Sequence, residues 1–287
     1  MQNPFSIKRF PTIFDIVAMV IIFFLVQIIL GLSLQLLGFQ APATSAIDAA
    51  DIEQYIAEQV AMAKYTAIIY PIAMILAIGA LWAYARYRGG KRVITIRHSK
   101  SGFNPNIILM GTFWLLSSQI ILEPIATLLP HSEGNGLGRG FLACLTAIIS
   151  APILEELLCR GLIFETIHKR WGTIASIAIS SLFFGIIHSD VATSFVAIIA
   201  GIIFGILYVR TSSLYTTIII HAINNAIALA LIGFGVGDLS FHDILGDGAL
   251  YWSIYSIAIA IFVGCGIEAY FKVFKTKKPM ANEGSPR

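Results

Sequence analysis

The chain has 287 residues, of which 57% are hydrophobic and 12% are charged, and its formal net charge is +3. Its mean hydropathy is +0.82, and a soluble globular domain carries about twice this share of charge, roughly 25%. This composition excludes a soluble enzyme, a secreted disulfide scaffold and a disordered chain. It predicts an all-α fold, a polytopic bundle of membrane helices that forms one integral-membrane domain over residues 1–287.

About eight membrane-spanning helices are predicted, because one crossing needs about 20 mostly apolar residues. They cover residues 13–39, 66–84, 106–129, 140–159, 173–188, 194–209, 214–234 and 249–271. A short amphipathic helix is predicted over residues 47–60, before the second span. In the sixth span small residues recur every four positions, at Ala197, Gly201 and Gly205, and this spacing predicts close helix packing.

Lysine and arginine are distributed unevenly along the chain. If the N-terminus lies in the cytoplasm and the spans alternate, every Lys and Arg except Lys64 and Arg139 falls on the cytoplasmic side. The positive-inside rule therefore predicts that both termini are cytoplasmic, with a basic tail over residues 275–287. This pattern favours a bacterial plasma membrane.

Two adjacent carboxylates lie in the fourth span. An ionisable side chain in a span costs about 2.5–3.5 kcal/mol on insertion scales, so each one needs a partner or a function. Glu156 and Arg160 are four residues apart and share a helix face, where they can pair. Arg160 neutralises only one carboxylate, and Glu155 points about 100° away on the helix. Glu155 is therefore a candidate general base.

Two further spans carry one histidine each, with a second notable residue one turn away. Phe184 precedes His188 in the fifth span, and His221 precedes Asn225 in the seventh. A single histidine in a span more often forms a hydrogen bond between helices than it catalyses a reaction. Two histidines, two glutamates and an asparagine together favour a functional site.

The depths of these residues in the membrane can be compared. If the chain turns at residues 171–172, Glu155 and His188 lie at one level, roughly 25 Å from that turn at 1.5 Å per residue. By the same reasoning, His221 and Asn225 lie roughly 12–20 Å from the turn at residues 210–213. The four residues are therefore predicted to surround one cavity in the inner half of the bilayer, open to the cytoplasm.

Taken in order, the three motifs resemble the signature of a known family. Glu-Glu-x-x-x-Arg at residues 155–160, Phe-x-x-x-His at 184–188 and His-x-x-x-Asn at 221–225 are similar to the motifs of the CPBP intramembrane proteases. These are the CAAX-processing and bacteriocin-processing enzymes, also called the Abi family. The resemblance covers residues 140–231, which form the predicted catalytic core. It implies an eight-helix fold with a cytoplasm-facing cavity and endopeptidase activity.

The resemblance also implies a role for each motif residue. Glu155 is the base that activates water, and His188 shares in holding that water. The oxyanion is stabilised by His221 and Asn225. The supporting residues are Glu156, Arg160 and Phe184.

The residues leave metal dependence open. The family has been described both as metalloproteases and as metal-free glutamate proteases, and Glu155, His188 and His221 could supply three ligands of an open zinc site. The chain has no HExxH motif and no acid that plainly orients either histidine. We therefore favour a site without a metal or other cofactor, with zinc as the alternative.

Two other functions are compatible with the same residues. Buried Glu and His also form proton relays, as in a proton-coupled transporter, although these groups lie at one level and the chain shows no inverted repeat. The second is a non-catalytic scaffold of the same family, which would be expected to lack a motif residue. The expected partners are the lipid bilayer and a membrane-associated peptide or protein substrate, and no nucleic acid is expected.

Overall fold

The computed structural model describes residues 10–42, 52–89, 97, 99, 104–130, 137–188, 190–234 and 240–275. All regular secondary structure in these residues is helical, which confirms the predicted all-α fold. Residues 276–287, most of the predicted basic tail, lie outside the described residues.

The helices follow one another along the chain, and three segments have the wider π-helical hydrogen bonding. In order they are α1 (Ile13–Leu36), α2 (Ile52–Gly89), α3 (Pro105–Ala126), α4 (Phe141–Leu145), π1 (Thr146–Ser150), α5 (Ala151–Glu156), π2 (Leu157–Phe164), α6 (Glu165–Ile186), α7 (Val191–Thr211), α8 (Leu214–Gly233), α9 (Phe241–Leu245), α10 (Ala249–Tyr270) and π3 (Phe271–Lys275).

Seven helical runs in the described residues are long and apolar enough to cross a membrane, which confirms the polytopic helical bundle. The fourth run, Phe141–Ile186, contains both the fourth and the fifth predicted spans. It is broken at Gly172, whose φ of 76° and ψ of −175° are non-helical and are readily adopted only by glycine. The seven runs therefore correspond to the eight predicted spans, and the break lies at the turn predicted for residues 171–172.

Helix α2 is longer than the predicted second span. It extends over 38 residues from Ile52 to Gly89, so the described part of the predicted amphipathic helix is continuous with the span. Hydropathy locates the part of a helix that can cross the bilayer, whereas the helix itself continues into the polar residues at each end.

The chain divides into two compact units. The first unit comprises residues 1–95 and 132–172, and the second comprises residues 96–131 and 173–287. The first motif belongs to the first unit, and the second and third motifs belong to the second.

In the first unit, the start of α1 is joined to the end of α2. Thr12 and Asp15 form a capping box, in which the Asp15 carboxylate accepts from the Thr12 backbone N–H at 2.7 Å. The same carboxylate accepts from Tyr84 Oη at 2.7 Å and Arg88 Nε at 2.8 Å. Asp15 is buried, and these bonds compensate the cost of burying its charge.

The segment before α4 is in close contact with the first half of α2. Gly138 has a φ of +75°, and a Cβ at this position would lie 2.3 Å from the carbonyl oxygen of Gln59. The backbone N–H of Arg139 donates to the same carbonyl at 3.1 Å, and Thr66 Oγ1 donates to the carbonyl of Leu137 at 3.0 Å. Only glycine permits so close an approach with this φ, and the contact fixes the register of α2 beside α4, α5 and the π segments.

The first motif lies where the helical hydrogen bonding changes. Pro152, near the start of α5, lacks an N–H group, and its ring crowds the carbonyl one turn earlier. The wider turn of π1, just before α5, relieves this crowding. Glu155 and Glu156 are the last two residues of α5, directly before π2 begins.

In the second unit, α7 packs closely on the part of α6 that follows Gly172. A Cβ at Gly201 would lie 2.9 Å from Ser181 Cα, and one at Gly205 would lie 3.2 Å from the Ile177 side chain. The close packing predicted from the small residues of the sixth span is confirmed.

Candidate active site

The first motif places a buried ion pair beside the candidate base. Arg160 Nη1 donates to Glu156 Oε1 at 2.7 Å, and both side chains are fully buried. The pairing predicted from their spacing is confirmed. Glu155 is 8% exposed, so its carboxylate is also largely withdrawn from water.

Glu155 is held by a residue from another helix. Tyr70 Oη, on α2, donates to Glu155 Oε1 at 2.6 Å. Sequence reasoning missed Tyr70, because a tyrosine in an apolar helix is common and the residue lies outside all three motifs. Its position next to Pro71 gives no additional signal.

The second motif fixes the orientation of His188. His188 Nδ1 lies 2.7 Å from the backbone carbonyl oxygen of Phe184, and a carbonyl oxygen can only accept, so Nδ1 carries the hydrogen. In the neutral imidazole the lone pair is then on Nε2, which can accept a proton or a hydrogen bond from water. Ser194 Oγ donates to the carbonyl of His188 at 3.0 Å, which ties the end of α6 to the beginning of α7.

His221 is set among aromatic rings. It is 5% exposed, and its ring centroid lies 5.1 Å from that of Phe204 and 5.6 Å from that of Phe184. The Phe184 ring also contacts His188, at 5.2 Å between centroids. The aromatic residue of the second motif therefore contacts both imidazoles, and its supporting role stays a prediction.

The second and third motifs share one cavity of about 350 Å³. His188, His221 and Asn225 line it, so the structure brings these three predicted site residues together. The apolar side of the cavity is formed mainly by residues of α7, with Ala192, Val196, Ala197, Ala200 and Phe204 among them. A cavity with a few polar groups and an apolar side has the composition of a small-molecule or peptide site.

Two polar residues of this cavity were not predicted. Gln119, on α3, and Asn224, on α8, both line it. Gln119 Nε2 donates to Asn224 Oδ1 at 2.8 Å, and Asn224 Nδ2 lies 3.5 Å from Asn225 Oδ1. An amide in a span is a signal that could have identified Gln119, whereas Asn224 is adjacent to a motif residue and was overlooked.

The remaining intramembrane acids have structural partners. Glu123 Oε1 accepts from the backbone N–H of Phe241 at 3.0 Å, and so anchors the start of α9. Glu268 forms a two-pronged ion pair with Arg210, with Nη2 and Oε1 2.6 Å apart. Neither acid lines the histidine cavity.

Glu155 belongs to the first unit, and His188, His221 and Asn225 belong to the second. The convergence of Glu155 on the histidine cavity therefore stays a prediction. In the described residues of the second unit, no three His, Cys, Asp or Glu side chains form a group that could hold a metal ion. The zinc alternative would accordingly require Glu155 as its third ligand.

Comparison with known proteins agrees with the motifs. Residues 138–227 match a family model described as Rce1-like, type II CAAX prenyl endopeptidase. The matched segment contains every residue of the three motifs. Neither a curated protein nor a solved structure gives a match to the chain. The seven membrane-compatible helices indicate an integral membrane protein, and residues 138–227 are similar to the CAAX-type intramembrane proteases.

Proposed function

We propose that the protein is an intramembrane endopeptidase that hydrolyses a peptide bond of a membrane-associated protein or peptide, with Glu155 as the general base. One observation supports this proposal above the others. His188, which follows the end of α6, lines a single cavity together with His221 and Asn225 of α8, and the His188 imidazole has its Nε2 lone pair available for water. A family match that spans the same residues adds to it.

The proposed reaction begins with water. The Glu155 carboxylate takes one proton as the water oxygen bonds to the carbonyl carbon of the substrate, while His188 Nε2 accepts a hydrogen bond from the same water. The electron pair of the carbonyl double bond moves onto oxygen. His221 and Asn225 donate hydrogen bonds to this oxyanion, and such donors have most effect where water is excluded.

The second half of the reaction restores the base. When the C–N bond breaks, the carbonyl reforms and the proton held by Glu155 passes to the leaving nitrogen. The products are a carboxyl group and an amine, and Glu155 is ionised again. In this scheme the Glu156–Arg160 pair is a neutral, buried support that leaves Glu155 as the single net charge of the motif.

We favour this metal-free scheme over a zinc site. His188 and His221 are suitable zinc ligands, and a histidine whose Nδ1–H donates to a carbonyl is also typical of metal sites. Bound zinc would act as a Lewis acid toward the carbonyl or the water. Metal analysis of the purified protein, with cleavage measured after dialysis against a chelator, distinguishes the two: the metal-free scheme predicts full activity without zinc.

The proposal includes a location and a substrate class. The distribution of Lys and Arg supports a bacterial plasma membrane with both termini in the cytoplasm. A bacterial member of the family has no obvious prenylated substrate. A leader peptide, a bacteriocin precursor or another membrane protein is therefore the proposed substrate.

The proposal is tested with a library of single-span membrane peptides that vary next to the span, co-expressed with the chain and analysed for cleavage by mass spectrometry. Glu155→Ala, His188→Ala and His221→Ala should each abolish cleavage while the protein still folds. Glu123→Gln is the matched control, since it alters an intramembrane acid that anchors the start of α9. Cleavage that survives Glu155→Ala would contradict the proposal, and a defect in uptake without any cleavage would indicate the transporter.

A further inference from the structure

We infer that Tyr70 is a positioning residue for the base: its hydroxyl anchors one oxygen of Glu155 and fixes the direction of the other. The inference rests on the proposed function for its catalytic meaning, although the hydrogen bond itself does not. Tyr70 lies on α2, outside the segment that matches the family model and outside all three motifs. The reaction scheme of the proposed function uses no residue of α2.

The contact between Tyr70 and Glu155 follows from the docking of two helical runs. Gly138 allows the chain to approach α2 at Gln59, where the Arg139 N–H donates to the Gln59 carbonyl at 3.1 Å. From this point α2 and the run that starts with α4 advance side by side in the same direction. About three turns further along α2, Tyr70 reaches Glu155.

The geometry of the bond suits a positioning role. A donor–acceptor distance of 2.6 Å is typical of an O–H group that donates to a charged carboxylate, a strong class of hydrogen bond. The terminal torsion of a glutamate is otherwise broad, and a general base must lie within hydrogen-bond reach of the proton that it takes. With Oε1 anchored by Tyr70, Oε2 is the oxygen assigned to accept the proton of water.

The groups around Glu155 show what the hydroxyl adds. Within the first unit, Tyr70 from α2 and Cys159 from the same helical run lie near this carboxylate. Arg160, also on that run, donates to Glu156 at 2.7 Å. The Tyr70 hydroxyl is a donor from a second helix that holds one oxygen of the base.

The first test measures the hydrogen bonding of Glu155 directly and needs no substrate. The full chain is purified in lipid nanodiscs, and the infrared carboxyl bands of Glu155 are recorded, with Glu155→Gln used to assign them. In Tyr70→Phe these bands should shift in frequency, because a donor to the carboxylate is lost. Tyr84→Phe is the matched control, since it removes a hydroxyl–carboxylate bond of 2.7 Å on the same helix.

Glu155 bands at equal frequency in Tyr70→Phe and in the wild type would overturn the inference. A shift of the same size in Tyr84→Phe would overturn it as well, because the effect would then be a general loosening of α2. Tyr70→Phe differs from the wild type by one oxygen atom, and a thermal unfolding curve shows whether each variant is folded. This result does not depend on whether the protein is a protease.

The second test connects the bond to catalysis. With a cleaved peptide from the library, Tyr70→Phe should lower kcat about tenfold with little change in KM. An unchanged kcat in Tyr70→Phe, with cleavage abolished in Glu155→Ala, would refute the inference and leave the proposed function standing. Wild-type cleavage in Glu155→Ala would instead refute the proposed function.

Discussion

The carboxylates of the first unit and the histidines of the second unit are held in physically different ways. Glu155 and Glu156 are fixed by short polar bonds, from Tyr70 at 2.6 Å and from Arg160 at 2.7 Å. His221 is held among aromatic rings, and the cavity beside it has a volume of about 350 Å³. The first arrangement is dense and charged, whereas the second is open and mostly neutral.

This difference follows from the cost of burying charge. A carboxylate withdrawn from water must be compensated by a cation or by donors, because an uncompensated buried charge is costly. A neutral imidazole tolerates an apolar environment and needs only one polar contact to fix its orientation. Substitutions that break the buried Glu156–Arg160 pair should therefore affect stability first, and substitutions in the histidine cavity should affect activity first.

The largest expected effect is the loss of the cation in the first unit. Arg160→Met leaves Glu156 buried without its partner and should lower the free energy of unfolding by about 3–5 kcal/mol. Arg210→Met in the second unit is the matched control. Its partner Glu268 is 42% exposed, so the cost should be about 1 kcal/mol.

Equilibrium unfolding in detergent micelles measures both changes. Replacing both members of the buried pair, with Glu156→Leu added to Arg160→Met, should recover most of the lost stability. If the two arginine variants were equally stable, the proposed contrast between the two regions would be wrong.

Backbone packing gives the next effect. Gly138→Ala combines a φ of +75° with a Cβ only 2.3 Å from the carbonyl oxygen of Gln59. It should cost about 2–5 kcal/mol, since the left-handed backbone costs about 1–2 kcal/mol and overpacking about 1–3 kcal/mol. Gly201→Ala in the second unit adds only the overpacking against Ser181. Unfolding curves in which Gly201→Ala loses more stability than Gly138→Ala would contradict this prediction.

Much of the fold could be predicted from the sequence because membrane helices are specified locally. Long apolar runs located the spans, and the small residues of the sixth span indicated its close packing. The break at Gly172 was also expected, because a Trp-Gly step separates two apolar stretches. The π segments around Glu155 were not predicted, since they depend on how the chain accommodates Pro152 rather than on hydropathy.

The site could be predicted only as far as its motifs extend. The Glu156–Arg160 pair is a contact within one helix, so its spacing was sufficient. The amide of Gln119 within a span was a usable signal, but Tyr70 reaches Glu155 from another helix, and no local pattern reports such a contact. The same limit applies to Glu268, whose partner Arg210 lies on another helix.

A smaller effect, on activity, is expected in the histidine cavity. Phe184→Leu removes the ring that contacts both His188 and His221, and should lower kcat for a cleaved peptide about tenfold. Phe183→Leu is the matched control: Phe183 is buried to a similar degree but does not line the cavity. Both variants should lose a similar stability, about 1 kcal/mol, and an equal loss of kcat in both would count against the role of Phe184.

The smallest effect is expected at Gln119, which would act on the proposed oxyanion donor Asn225 through Asn224. Gln119→Met removes the donor that lies 2.8 Å from Asn224 Oδ1, a bond worth about 1 kcal/mol. Without it, the Asn224 amide can turn and loosen its contact with Asn225, so kcat should fall about fivefold while KM changes little. Gln27→Met, which removes a long bond of 3.4 Å to the Ala73 carbonyl in the first unit, should leave kcat unchanged. Equal kcat values for Gln119→Met and the wild type would mean that Asn225 is oriented by its own helix. The second unit would then have no polar bonds that fix a site residue in the way that polar bonds fix Glu155 in the first.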